Sequence, residues 1–404
     1  MNILYLCDEY PPGRHGGIGT SVRLLARQMV KLGHGAVIAG LYGPGYGGED
    51  EFDDEGVKVF RFRRGFNFNF LGNETSLLSR VGTRLLQKSG LMERDIKKSL
   101  AAYKIKLEEI IARYSIDIVE MPDYNDYMRF CKNVVLFPQL SVPVTVKIHG
   151  AITYFKNEAN QPVPKCILEM EQAILSQAVA ISSVSKYTAD KSALYLSCSP
   201  KITVLYNGID AGIPAASLTR KPKQVIFTGS LVEKKGIYQL AKAWNIVSKA
   251  IPGARLLVLG KGAQQKVMAY LNADTKSSVI FKGHVTTEEL YKHLRVSVIS
   301  VFPSYAEAFA LAPLEAMAGG TAVINSNRTS GPELIEHEID GLLIEPDNVE
   351  QIASSIIYLL NNPGVCSALA KNGCKKVKER FEISKIALEN LAFYQEVLDN
   401  APEE

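Results

Sequence analysis

Residues 296–326, VSVISVFPSYAEAFALAPLEAMAGGTAVINS, hold the pattern that decides the fold class. The opening VSVISVF is uncharged and rich in Val and Ile, as expected of a strand covered on both faces. A helix is expected through LEAMAGG, with Pro313 suited to its first turn, and TAVINS reads as the next strand. Strand, helix and strand with short connections form the repeating unit of a parallel sheet. Outward from this unit the alternation continues. Strands are expected at QVIFTG, ARLLVLG, SVIFKG and GLLIEP, with helices near Tyr238–Ala250 and Gln264–Leu271. Three more helices are expected at Val349–Leu360, Val365–Arg380 and Ile383–Leu398.

A first series precedes it, with strands at NILYLC, AVIAGLY, VKVFRF, IDIVEM, PVTVKIH, AVAISS and ITVLYN. Helices are expected around residues 95–114 and 165–176 and at Ser21–Leu32, where Val22, Leu25, Met29 and Leu32 share one stripe. Thr20 or Ser21 is the expected cap of that helix and Gly33 its stop. The acidic run EDEFDDE at 49–55 reads as an exposed loop. Between the two series lies AGIPAASLTRKPK, small and basic residues without periodicity, which places a boundary at 212/213. The fold class is therefore α/β, with two Rossmann-like, doubly wound parallel-sheet domains at 1–212 and 213–382. Ligands of such sheets bind outside the strand carboxyl ends, so a central cleft faced by both domains is the expected active site.

The chain has 404 residues, 47% hydrophobic and 22% charged, enough for two domains and unlike a disordered chain. Its net charge of +4 is too small to point to nucleic acid. No stretch reaches the roughly 18 apolar residues of a membrane span, and the amino terminus lacks a basic leader. Six scattered cysteines without a CxxC pair read as reduced thiols. Together these give a cytoplasmic expectation. From Lys58 to Lys106 there are twelve Lys and Arg against three acids, interleaved with Phe60, Phe62, Phe66, Phe68 and Phe70. That stretch is either a solvated face or a surface attracted to anionic lipid or phosphorylated acceptors.

Four places carry chemistry. Glu307 and Glu315 are separated by seven residues, with Phe309, Ala310 and Leu311 near a helix start where amides favour an anion. The two carboxylates either accept hydroxyl hydrogen bonds on both sides of a bound diphosphate, or form an acidic first turn beside an ordinary surface Glu. In FTGSLVEKKG, Gly229 and Gly236 permit close backbone approach, and Lys235 is either a phosphate ligand or a solvated loop lysine. In HGGIGTS, Gly16, Gly17 and Gly19 form a phosphate cradle or a tight turn, but not the GxGxxG fingerprint. His149 ends the strand PVTVKIHG at the predicted cleft. No HxH, HExxH, Walker loop, GxSxG or DxD occurs, so neither a metal nor another cofactor is expected.

The order HGGIG, KIHG, VSKYTAD, YNGID, FTGSLVEKKG, VLGKG, FKGHV and PSYAEAFALAPLEAMAGG resembles that of retaining glycosyltransferases of sequence family four, with the GT-B fold, from Gly16 to Leu343. What the resemblance implies can be placed residue by residue. It assigns Glu315 to the ribose hydroxyls, Glu307 and His149 to the donor sugar, and Lys235 to the diphosphate. Gly17 and Gly19 fall beside donor phosphate and acceptor, and Gly283 and His284 near the base. The helix 383–404 is expected to cross back to the first, acceptor-side domain. Two features depart from the family: Ser230 stands where arginine is usual, and Ala308 and Ala310 stand where glycine is usual.

The implied activity is transfer of a hexosyl residue from a nucleoside-diphosphate sugar, UDP-glucose first, to a glycan or lipid-linked acceptor in surface polysaccharide biosynthesis. The competing expectations are a GT-B nucleotide-sugar epimerase, against which the paired glutamates argue, and a non-catalytic nucleotide-sugar-binding protein.

Overall fold

The computed structural model describes residues 1–13, 15–43, 48–63, 89–198, 201–212 and 219–400. It divides into two compact units, Met1–Gly208 joined by the segment from Ile383 onward, and Ile209–Glu382.

The first unit is an eight-stranded sheet. Its strands are β1 (Asn2–Leu6), β2 (Gly35–Tyr42), β3 (Glu51–Asp54), β4 (Val57–Arg63), β5 (Ile118–Pro122), β6 (Val144–Ile148), β7 (Ala180–Ser183) and β8 (Ile202–Val204). The order is β3-β4-β2-β1-β5-β6-β7-β8, parallel throughout except that β3 runs antiparallel to β4. The helix Ile383–Asp399 completes this unit. Its Asn390 accepts a hydrogen bond from the buried Lys147 Nζ at 2.7 Å, and Tyr394 donates to Glu120 Oε2 at 2.6 Å.

The second unit holds β9 (Gln224–Thr228), β10 (Arg255–Leu259), β11 (Val279–Gly283), β12 (Ile299–Phe302), β13 (Ala322–Ser326) and β14 (Leu342–Ile344). All pairs are parallel, in the order β11-β10-β9-β12-β13-β14. This is the dinucleotide-fold order 3-2-1-4-5-6, which reverses between its first and fourth strands. The helix Ile237–Ala250 buries Ile237, Leu240, Trp244 and Val247, and Trp244 Nε1 donates to Ser278 Oγ at 2.9 Å.

Three expectations change. The first helix spans Gly17–Lys31 rather than starting at Ser21. Thr20 and Ser21 do not cap it, because their hydroxyls bond back to the carbonyls of Gly16 and Gly17 at 3.0 and 2.9 Å. The acidic run is not a loop but contains the edge strand β3, whose Asp54 is nearly buried against Arg23, Arg27 and Tyr10. Four helices among the described residues had no expectation: Ile152–Glu158, Lys186–Tyr195, Thr287–Val296 and Gly331–Leu334. Among the described residues, no single helix is long and apolar enough to cross a membrane. Of the basic stretch Lys58–Lys106, residues 64–88, with Phe66, Phe68 and Phe70, lie outside the described residues.

Candidate active site

In the second unit the strand order reverses between β9 and β12, and in such sheets ligands bind outside the carboxyl ends at the reversal. Gly229 and Ser230 follow β9, and the chain then makes a short turn, Glu233–Lys235, into the helix that begins at Ile237. The loop from Pro303 follows β12. Gly236 lets these two loops touch: it has φ +69°, and a Cβ there would lie 1.8 Å from the Pro303 carbonyl oxygen. The Tyr305 amide donates to the Lys234 carbonyl at 2.8 Å, fixing the same approach. Below them, a Cβ on Gly260 would lie 1.8 Å from the Gly229 carbonyl oxygen. Both glycines are therefore required by backbone contact.

This contact brings Lys235 and Glu307 together. Lys235 Nζ is 2.5 Å from Glu307 Oε1, with the lysine side chain 31% and the glutamate 16% exposed. Burial pushes the Glu307 pKa up, but Lys235 and then Lys234 outweigh it, and the net shift is downward. Burial lowers the Lys234 pKa, with Glu307 opposing and Lys235 adding to that shift. The Glu307 amide donates to Thr329 Oγ1 at 3.2 Å. Two lysines thus converge on one carboxylate.

Glu315 sits on the helix Leu311–Ala318, and its carboxylate has no hydrogen bond or ion pair among the described residues. Burial pushes its pKa up to about 7. Such a carboxylate gains from any hydroxyl brought to it. Ala310 is the residue before this helix, and the first-turn amides of Leu311 and Ala312 have no acceptor within the helix itself. Phe309 is turned inward, its ring 5.9 Å from that of Phe381. Ala310 has φ −88°, so the backbone does not call for glycine here. Ala308 is buried and Ser230 is exposed. Gly283 ends β11 with φ +72°, and the exposed His284 follows it. At ~4.8 Å per strand they lie about 10 Å from β9, at the rim rather than in the lysine cluster.

In the first unit the order reverses between β1 and β5. After β1, Asp8 accepts hydrogen bonds from the Leu41 and Asp126 amides at 2.8 and 3.3 Å. Glu9 Oε1 then accepts from the Gly19 amide at 2.9 Å, within the first turn of the helix Gly17–Lys31. A Cβ on Gly19 would lie 2.0 Å from the Glu9 carbonyl oxygen, whereas one on Gly17 would meet nothing within 4 Å. The expected phosphate cradle therefore already holds an anion of the chain itself.

After β5, Asp123 accepts from the His149 amide at 2.9 Å. Its other oxygen is buried without a protein partner, and burial pushes its pKa up to about 7 despite nearby amides. His149 is 8% exposed, and burial, then Lys147, push its pKa down to about 3. Its imidazole is neutral at pH 7, with no ring hydrogen bond among the described residues. Sequence reasoning missed Glu9 and Asp123; the signal for Asp123 is its place directly after a buried strand, like His149. No group of three or more His, Cys, Asp or Glu suited to a metal ion occurs among the described residues.

Comparison with known proteins gives the family and the fold. The model for glycosyl transferases group 1 matches residues 213–376, and that for Glycosyltransferase Family 4 matches residues 15–212. An uncharacterized glycosyltransferase, MJ1607, of Methanocaldococcus jannaschii is 24% identical over 98% of both chains. The glycogen synthase of Mycobacterium tuberculosis is 23% identical over 98% of this chain and 94% of its own. Among solved structures, sucrose-phosphate synthase of Thermosynechococcus elongatus superposes with a TM-score of 0.73 at 20% identity, covering 99% of this chain and 100% of that one. Anabaena Alr3699/HepE in complex with UDP-glucose does so with a TM-score of 0.63 at 15% identity, covering 98% and 100%. These structures share the fold. The chain belongs to the group 1, family 4 glycosyltransferases and has their GT-B fold.

Proposed function

We propose that this glycosyltransferase moves a hexosyl residue, with retention, from a nucleoside-diphosphate sugar to a glycan or lipid-linked acceptor in surface polysaccharide biosynthesis. UDP-glucose is the first donor to test. The observation that carries the reading is the Lys235–Glu307 pair at the reversal of the second sheet, with Lys234 beside it and Glu315, unpartnered among the described residues, one loop away. The complex of Alr3699/HepE with UDP-glucose and the name of the mycobacterial glycogen synthase support the donor class.

In this reading Glu315 accepts the ribose hydroxyls and the amides at Ala310, Leu311 and Ala312 face the phosphates. Lys235 leaves Glu307 for the diphosphate, and Glu307 accepts a hydroxyl of the sugar in its place. The bond between the anomeric carbon and the phosphate oxygen breaks, its electron pair staying on the diphosphate. Lys235 stabilises that charge more as it develops than in the ground state. The acceptor oxygen bonds to the same carbon from the same face, and its proton passes to the departing phosphate oxygen. The resemblance gives His149 contact with the donor sugar, and a neutral imidazole suits a hydroxyl partner. Ser230 in place of arginine forgoes a charge-assisted bond of ~1.5–3 kcal/mol, a loss that Lys234 is placed to offset.

The first unit is proposed as the acceptor side. Its described basic helix Leu91–Tyr114 exposes Ile105 beside Lys104 and Lys106, consistent with weak peripheral attachment to anionic membranes from the cytoplasm. Co-sedimentation with anionic vesicles at low salt tests that; no binding excludes it. The test of the reaction is nucleoside diphosphate release from UDP-glucose, UDP-galactose and GDP-mannose with chelator present. Release from one donor supports metal-independent transfer chemistry, while interconversion of nucleotide sugars without acceptor supports the epimerase instead. A chain that binds none of these donors would refute the proposal.

A further inference from the structure

At the opposite end of the second sheet a cavity of about 820 Å³ opens between the strand amino ends and the helices Val349–Asn361 and Pro363–Lys376. Pro222, Val298 and Gly320, just before β9, β12 and β13, line it. Five residues at ~3.3 Å each separate Val298 from Pro303, so this cavity lies roughly 16 Å from the lysine cluster. It plays no part in the donor site described above, and its volume is within the ~300–1,000 Å³ range of small-ligand sites.

Its chemistry is that of an amphiphile's counterpart. The interior is apolar, built by Val298, Leu359, Leu360 and Ala370. The rim is cationic: Arg220, Lys371, Lys375 and Lys378 against the single acid Glu379. Lys375 is 3.8 Å from Glu379, but Arg220, Lys371 and Lys378 have no carboxylate partner among the described residues. Arg220 is held by two carbonyls instead, those of Ser297 at 2.5 Å and Gly319 at 3.2 Å. That leaves its charge without a carboxylate partner among the described residues; burial lowers its pKa, with Cys366 and Cys374 opposing. An apolar chamber rimmed by three unneutralised cations is complementary to one alkyl chain with an anionic head.

We propose that this cavity binds a monomeric single-chain amphiphile bearing a phosphate head, the chain among Val298, Leu359, Leu360 and Ala370 and the head on Arg220, Lys371 and Lys378. The test is calorimetric titration of the full chain with dodecyl phosphate below its micelle concentration, with inorganic phosphate and dodecyl maltoside as head-only and chain-only probes. Saturable one-to-one binding of dodecyl phosphate is expected, with both controls at least tenfold weaker. The exposed double variant Lys371→Glu/Lys378→Glu is expected to weaken it at least tenfold, and Ala370→Trp to abolish it by filling the chamber. Because both lysines are exposed and unpaired, that double variant folds even if the tryptophan is not accommodated. Equal binding of maltoside or of inorganic phosphate, or affinity unchanged in the double variant, would overturn the proposal. So would binding only to phosphatidylglycerol vesicles and not to monomeric dodecyl phosphate.

Discussion

In the second unit the strands flanking the reversal, β9 and β12, lead into two lysines gathered on one glutamate. In the first unit the corresponding strands, β1 and β5, lead into Asp8, Glu9 and Asp123, beside a histidine kept neutral by burial. The topology is the same kind, yet lysines and a glutamate meet at one reversal, while acidic residues and a neutral histidine stand at the other. Fold alone therefore does not distinguish the two switch points; their charges do, and the proposed diphosphate site rests on them. In the proposed function the diphosphate lies on the second unit and the first meets hydroxyl groups.

That contrast can be broken in several places. The largest effect is expected from Gly236→Ala, because the new Cβ would collide with the Pro303 carbonyl at a positive φ. A loss of about 3 kcal/mol of stability in urea unfolding, with donor binding weakened alongside, is the expected result; unchanged stability would show that the loops need no such contact.

Next is Glu315. Hydroxyls donating to it favour its ionised form, so donor affinity should rise with pH up to about 7, its pKa without ligand, and level off above. Glu315→Gln should flatten that profile and weaken donor binding roughly tenfold. The same raised pKa makes the ligand-free protein lose stability as pH rises from the ordinary carboxylate range towards 7, since the folded state holds the proton longer. A pH-independent affinity in the parent protein would remove Glu315 from the donor site.

A smaller effect concerns His149. With a pKa near 3 it does not titrate between pH 6 and 8, so His149→Gln should lower the rate without changing the shape of the kcat/KM profile. A limb near pH 6.5 lost in the variant would contradict its neutral role. The smallest is Glu9→Gln, expected to cost ~0.3–1 kcal/mol at the helix amino terminus and to change donor affinity less than threefold. A tenfold gain in donor affinity would instead place the phosphate on the glycine loop.

Much of this was legible in the chain. Hydrophobic runs and helical stripes gave the parallel strands of both units and most helices, because strands covered on both faces are apolar along their length. Lys235, Glu307 and Glu315 stood out because they follow such strands. Strand order was not legible, since it depends on which edges pair at long range, and with it went the location of the switch points. The charged run holding β3 was misread because Asp54 is balanced by Arg23 and Arg27, some thirty residues away in sequence. The start of the first helix was misread because hydroxyls that suggest a cap also bond backwards within a helix. Glu9 could not be read as the occupant of the glycine loop, because only the folded backbone brings it to Gly19.

The most direct test of the central claim is UDP affinity by calorimetry in the parent protein, Lys235→Ala and Glu9→Gln. The account predicts that Lys235→Ala weakens UDP at least tenfold and that Glu9→Gln leaves it within threefold. UDP bound equally by Lys235→Ala, or governed by Glu9 instead, would contradict the assignment of the diphosphate to the second unit.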